Sequence, residues 1–156
     1  MYIFTNLLIV LVVFVFMEFL AWFTHKYVMH GILWKLHEDH HVPHDHTLEV
    51  NDFFALIFAV PSILLIFSGT WYENGFLISA GIGILLYGLA YFFVHDLYVH
   101  RRIRISWLQR LDNNYLRAIH IAHKRHHKYQ EKNPGESYGF LWVGKKYRQM
   151  ALRSKK

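Results

Sequence analysis

The chain has 156 residues, 54% of them apolar and 18% aromatic, with no cysteine and a formal net charge of +6. The lack of cysteine excludes a disulfide framework, Cys-ligated zinc and a Cys-ligated iron–sulfur cluster. The apolar residues are gathered into long blocks, so the chain reads as one membrane-embedded domain over 1–156. The positive charge then reads as basic cytoplasmic loops and not as a nucleic-acid surface.

In chain order, the first block runs from Tyr2 to Phe23 and ends in Trp22 and Phe23, which suit an interfacial aromatic belt. It lacks a basic start and a small-residue cleavage site, so it reads as a retained helix and not a signal peptide. Residues 25–42 continue as helix or break into a second helix at Gly31. Val42 to Thr47, with Pro43, His44 and His46, is a loop signal, and Asn51-Asp52 is a plausible helix cap. The second block, Phe53 to Phe67, is short and carries Pro61, so a kinked or partly interfacial segment would fit it. Asn74-Gly75 marks a turn. The third block, Phe76 to Val94, is rich in Gly81, Gly83 and Gly88, a pattern expected of close helix packing. Trp107 to Lys128 has the spacing of an amphipathic helix that Asn133-Pro134-Gly135 would end, and the aromatic, then basic tail from Tyr138 suits a membrane surface.

Lys and Arg fix an orientation. All 17 lie at Lys26, Lys35 or from Arg101 onward. The positive-inside rule then puts the N-terminus and the turn at residues 68–75 outside, and everything near residues 25–41 and from 95 onward in the cytoplasm. The fold class expected is an all-α integral membrane protein. About three membrane helices, with four as the alternative, would carry a cytoplasmic helical cap.

Ten of the thirteen histidines form two matching sets. His25 and His30 are followed by His37, His40 and His41; His95 and His100 are followed by His123, His126 and His127. Each set is H-x-x-x-x-H and then H-x-x-H-H, and each begins where an apolar block ends. On an α-helix the three imidazoles of H-x-x-H-H span an arc of about 100°, so one face presents all three. The members of H-x-x-x-x-H fall about 140° apart and share a site only if the helix ends or bends. Neutral imidazole is the commonest protein ligand for transition metals, so the doubled set points to two ions, five histidines each, held between two helical arms. Two irons fit this donor set best, although spacing alone also admits zinc. Glu18, Asp39, Asp96 and His120 lie where they would hydrogen-bond the outer nitrogen of a ligand imidazole.

The residues between the histidines carry a resemblance. His25-Lys-Tyr-Val-Met-His30-Gly31, Leu36-His37-Glu-Asp-His-His41, Asn51-Asp52, Tyr91-Phe-Phe-Val-His95-Asp96, Val99-His100-Arg-Arg102 and Gly135-Glu-Ser-Tyr-Gly-Phe-Leu-Trp142 resemble bacterial β-carotene 3-hydroxylases. These belong to the wider fatty acid hydroxylase and sterol desaturase superfamily. The resemblance implies a di-iron monooxygenase that uses O2 to hydroxylate carbon 3 of β-ionone rings, giving β-cryptoxanthin and then zeaxanthin. It also implies that the ten histidines are the ligands. With no nucleotide fingerprint and no cysteine, the electrons must come from outside, and the resemblance suggests reduced ferredoxin. A related lipid or sterol hydroxylase or desaturase is the nearest alternative, and a membrane metal transporter or metal-binding protein is the alternative from another class. The expected location is the bacterial inner membrane, with no oligomeric state implied.

Overall fold

The computed structural model describes residues 2–43, 48–133 and 135–154. His44 and His46, read as loop histidines, lie outside that set. The described residues are all helix and connections. They run as α1 (Tyr2–Phe23), a π segment (Thr24–Ile32), α2 (Trp34–His41), a 3-10 turn (Val50–Asp52), α3 (Phe53–Trp71), α4 (Gly75–Tyr91), a second π segment (Phe92–Val99), α5 (Ser106–Gln109), α6 (Asn114–His126) and α7 (Lys145–Arg153). Three continuous helical stretches, Tyr2–Ile32, Val50–Trp71 and Gly75–Val99, are long and apolar enough to cross a membrane. Their outward faces are apolar, with Leu7, Ile63 and Phe67 all about two-thirds exposed (64%, 64% and 65%). That is the surface a lipid solvent requires. The second stretch is as regular as the others and stays helical through Pro61.

α4 is the central span and packs against both α1 and α3. Asn74 starts it by accepting the backbone N–H groups of Phe76 and Leu77. Glycine lets the backbones approach: a methyl group on Gly83 would sit 2.8 Å from Val13 of α1, and one on Gly81 2.7 Å from Ile66 of α3. Ser62 adds a hydrogen bond to the Gly81 carbonyl at 2.8 Å, satisfying a hydroxyl that lipid could not.

Outside the bundle, α6 and α7 form a small second core from Ala118, Ala122, Val143, Tyr147 and Ala151. Three expectations are corrected here. The helix expected over Trp107–Lys128 is two helices, because Asn113 turns its side chain onto the N–H groups of Tyr115 and Leu116 and starts α6 afresh. The cap before α3 involves Glu49, whose N–H donates to Asp52 Oδ2, while Asn51 is turned inward to a histidine. The aromatic part of the tail does not lie free on a surface. It folds onto the bundle, with Phe140 and Val143 buried (7% and 2% exposed).

Candidate metal centre

The spacing that fits an α-helix poorly fits the observed backbone well. Both H-x-x-x-x-H pairs lie in π segments or at their ends, where hydrogen bonds close from i to i+5. The His100 N–H donates to the His95 carbonyl at 2.9 Å. Residues five apart are thereby stacked, and the ring centroids come within 5.2 Å for His25 and His30 and 4.5 Å for His95 and His100. Gly31 breaks the helical path, as its place in the sequence suggested, and α2 turns back with His37, His40 and His41.

Two clusters result. The ligand nitrogens of His25, His30, His37, His41 and His126 lie within 4.8 Å of one another, and so do those of His40, His100, His123 and His127. The division of five and five is corrected to a crossed one. On each arm the middle histidine of H-x-x-H-H, His40 or His126, reaches into the cluster built mainly by the other arm. The outer pair, four residues apart, stays with its own. His95 falls outside both clusters. Its ring stacks on Tyr91 at 4.4 Å, and its Nε2 accepts the Tyr91 hydroxyl at 3.2 Å.

Hydrogen bonds fix which nitrogen seven of the imidazoles turn inward. Nδ1–H donates to the carbonyl oxygens of Tyr138 (from His25, 3.0 Å), Lys132 (His30, 3.1 Å), Tyr129 (His41, 2.8 Å) and Glu136 (His126, 3.0 Å). It donates to side-chain oxygens of Asn51 (His37, 2.6 Å), Glu49 (His40, 2.6 Å) and Asp96 (His95, 2.9 Å). None of these oxygens can donate in return, so the proton is on Nδ1 and the lone pair on Nε2. Yet the Nε2 atoms face one another at 3.2 Å between His25 and His37, His37 and His41, and His30 and His126. Two lone pairs at that separation repel. Protons do not resolve it, because burial drives His37 down to about 3, His41 to about 4 and His126 to about 2. A cation between converging lone pairs resolves it, and this is the test by which the residues fit a metal pair.

Of the residues expected to hold the outer nitrogen, only Asp96 does so. Glu18 hydrogen-bonds no histidine. Its two oxygens accept the backbone N–H groups of Phe140, Leu141 and Trp142 at 2.9, 2.9 and 2.8 Å and the Tyr87 hydroxyl at 2.8 Å. It pins the strap whose Tyr138 carbonyl orients His25. Asp39 accepts the Val50 N–H instead, and His120 packs on the Tyr98 ring at 6.2 Å. Glu49, Asn51 and Arg102 were not singled out for this work. Arg102 joins Glu49 (2.6 Å), Asp52 (2.7 Å) and Asp96 (3.5 Å), linking the supports of His40 and His95. Two arginines beside a cluster histidine, Arg101-Arg102, were the available signal.

A cavity of about 360 Å³ opens onto the clusters from the bundle side. Its walls are mostly apolar, from Met17 and Ala21 of α1, Phe58 of α3 and Ile84 of α4, and His25, His37, His40, His95 and His123 border its inner end.

The fatty acid hydroxylase family pattern matches residues 10–143, which takes in most of the first span, the other two spans and both clusters. The chain belongs to the fatty acid hydroxylase family. Among curated members it is similar to the β-carotene hydroxylase of Pseudescherichia vulneris, 41% identical over 90% of this chain and 78% of that protein. It is also similar to the β-carotene hydroxylase of Pantoea ananas, 42% identical over 88% and 77%. A plant relative, the chloroplastic β-carotene 3-hydroxylase 2 of Arabidopsis thaliana, is 40% identical over 83% of this chain and 42% of its own length. No solved structure matches this family member.

Proposed function

We propose that the chain is a membrane di-iron monooxygenase that hydroxylates carbon 3 of the two β-ionone rings of β-carotene, giving β-cryptoxanthin and then zeaxanthin. One observation carries the reading: an apolar cavity within the membrane bundle ends on two clusters of inward-facing imidazole lone pairs, in a relative of β-carotene hydroxylases. The ligands are the nine clustered histidines. His95 becomes the tenth by exchanging its bond to Tyr91 for an ion.

Iron, when bound, supplies the redox chemistry that splits O2, one atom entering the C–H bond and the other leaving as water with two electrons and two protons from outside. The chain's own residues supply the rest. The carbonyls of Tyr129, Lys132, Glu136 and Tyr138 hold the imidazoles in one tautomer. The apolar walls take up a hydrocarbon ring and keep water from it. Tyr91 and Phe140, packed at 4.7 Å, close the cavity beside His95. The external donor is an acidic one-electron carrier such as ferredoxin, received on the exposed basic residues Arg101, Arg104, Lys124, Arg125 and Lys128. The clusters face the cytoplasm in this reading, which the Lys and Arg distribution supports.

Expression in a β-carotene-producing bacterium, followed by pigment chromatography, tests the reaction. The expected products are the mono- and then the dihydroxylated pigment. Unchanged β-carotene with verified membrane expression and a working donor overturns the reading. For sidedness, a cysteine at Glu73 should react with an impermeant thiol reagent on intact cells, and one at Lys128 only after lysis.

A further inference from the structure

The glycines of α3 and α4 do not all serve the same purpose. A methyl group on Gly69 would lie 2.7 Å from Ile78, and those on Gly81 and Gly83 2.7–2.8 Å from Ile66 and Val13. Real side chains do not come so close, so at these positions the helices touch backbone to backbone. Gly88 breaks the series. A methyl group there meets nothing within 4 Å, the residue is exposed, and it borders the cavity. No packing demand explains it, and glycine is the poorest helix-interior residue after proline. The α3 wall of the same cavity carries Ala55 and Ala59, also exposed. α3 and α4 therefore meet tightly at the turn end and stand apart towards the histidines, leaving a gap floored by small residues.

We propose that this gap is a lateral passage through which the polyene chain of the substrate runs out into the bilayer, with Gly88 setting its width. The inference rests on the function proposed above. Gly88 precedes His95 by seven residues, about 10 Å along a helix. A six-membered ring held at the clusters does not extend that far, but the conjugated chain attached to it does. With one ring at the clusters, the rest of a tetraterpene must run away from them along the apolar walls of the cavity, past Gly88, Ala55 and Ala59. In lipid, an opening walled by apolar side chains in intact helix exposes no unpaired backbone group. Gly88 is thus a determinant of substrate length and acts on the chain, not on the ring chemistry.

The test compares β-carotene with β-ionone, which has the ring but only a stub of chain, in membranes carrying Gly88→Leu, Ala59→Leu and Gly88→Ala. For Gly88→Leu and Ala59→Leu, kcat/KM for β-carotene relative to β-ionone should fall at least about tenfold, the scale of a steric misfit in an apolar pocket, chiefly through KM. Gly88→Ala should fall in the same direction by less, and it keeps the test open if the larger variants do not accumulate. Iron content of the purified proteins should match the wild type. An unchanged ratio in iron-loaded variants overturns the passage, and so does an equal loss on both substrates. A wild-type protein that oxidises neither compound contradicts the proposed function itself and is thereby told apart.

Discussion

The two histidine clusters have the same ligand type but different supports. The larger one, His25, His30, His37, His41 and His126, rests its Nδ1 atoms on four main-chain carbonyls and one amide oxygen, all neutral. Of the smaller one, His40 is held by a charged lattice: Glu49 takes His40, Asp96 takes the adjacent His95, and Arg102 joins both carboxylates. A carboxylate acceptor makes an imidazole more basic than a carbonyl does, so His40 would be a stronger donor to an ion than the carbonyl-held histidines. The larger cluster depends on the main chain at Tyr129, Lys132, Glu136 and Tyr138. The smaller depends on a few side chains that one substitution can remove.

The most damaging way to probe this contrast is to remove a crossing ligand. His126→Ala should abolish hydroxylation and empty the larger cluster, although His126 belongs to the second motif, and His40→Ala should empty the smaller. Both losses should exceed the 10–100-fold typical of losing an outer hydrogen bond. Iron counting on purified protein checks it, and full occupancy in either variant refutes the crossed arrangement. Next, Glu49→Gln should lower iron affinity or activity by about 10–100-fold and Asn51→Ala by less, because only Glu49 also answers Arg102. Equal losses would erase the distinction between charged and neutral support.

Glu18→Ala acts on the larger cluster at one remove. It leaves three strap N–H groups and the Tyr87 hydroxyl without their acceptor, at about 1–3 kcal/mol for each group that stays unsatisfied. A thermal scan in detergent should show a clear fall in Tm, partly recovered in Glu18→Gln. A wild-type melting curve for Glu18→Ala would remove the strap from the account. The smallest effect belongs to His120→Ala, expected within about 0.5 kcal/mol of wild type and with full iron.

The spans, their number and the convergence of the histidines were legible because they depend on long apolar runs and on repeated spacing. Supports made of main chain were not. Nothing in the letters Tyr129, Lys132 or Glu136 announces that their carbonyls point at imidazoles, since every residue has one. The π segments were half legible: the five-residue spacing demanded a departure from α geometry without naming its kind. Glu18 was visible as an acid within an apolar span, but three of its four partners are backbone groups more than a hundred residues away. The crossing of His40 and His126 escaped because an arc of about 100° on a helix places three side chains on one face without saying that its two edges address different centres.

That crossing makes assembly conditional. An arm folded alone supplies at most four histidines to one cluster or three to the other, and it never completes either. If the clusters hold ions as proposed, loading of the full pair would require both halves of the polypeptide to be brought together. A chain truncated after its first arm would lack three of the four histidines of the smaller cluster and so could not hold a pair of ions.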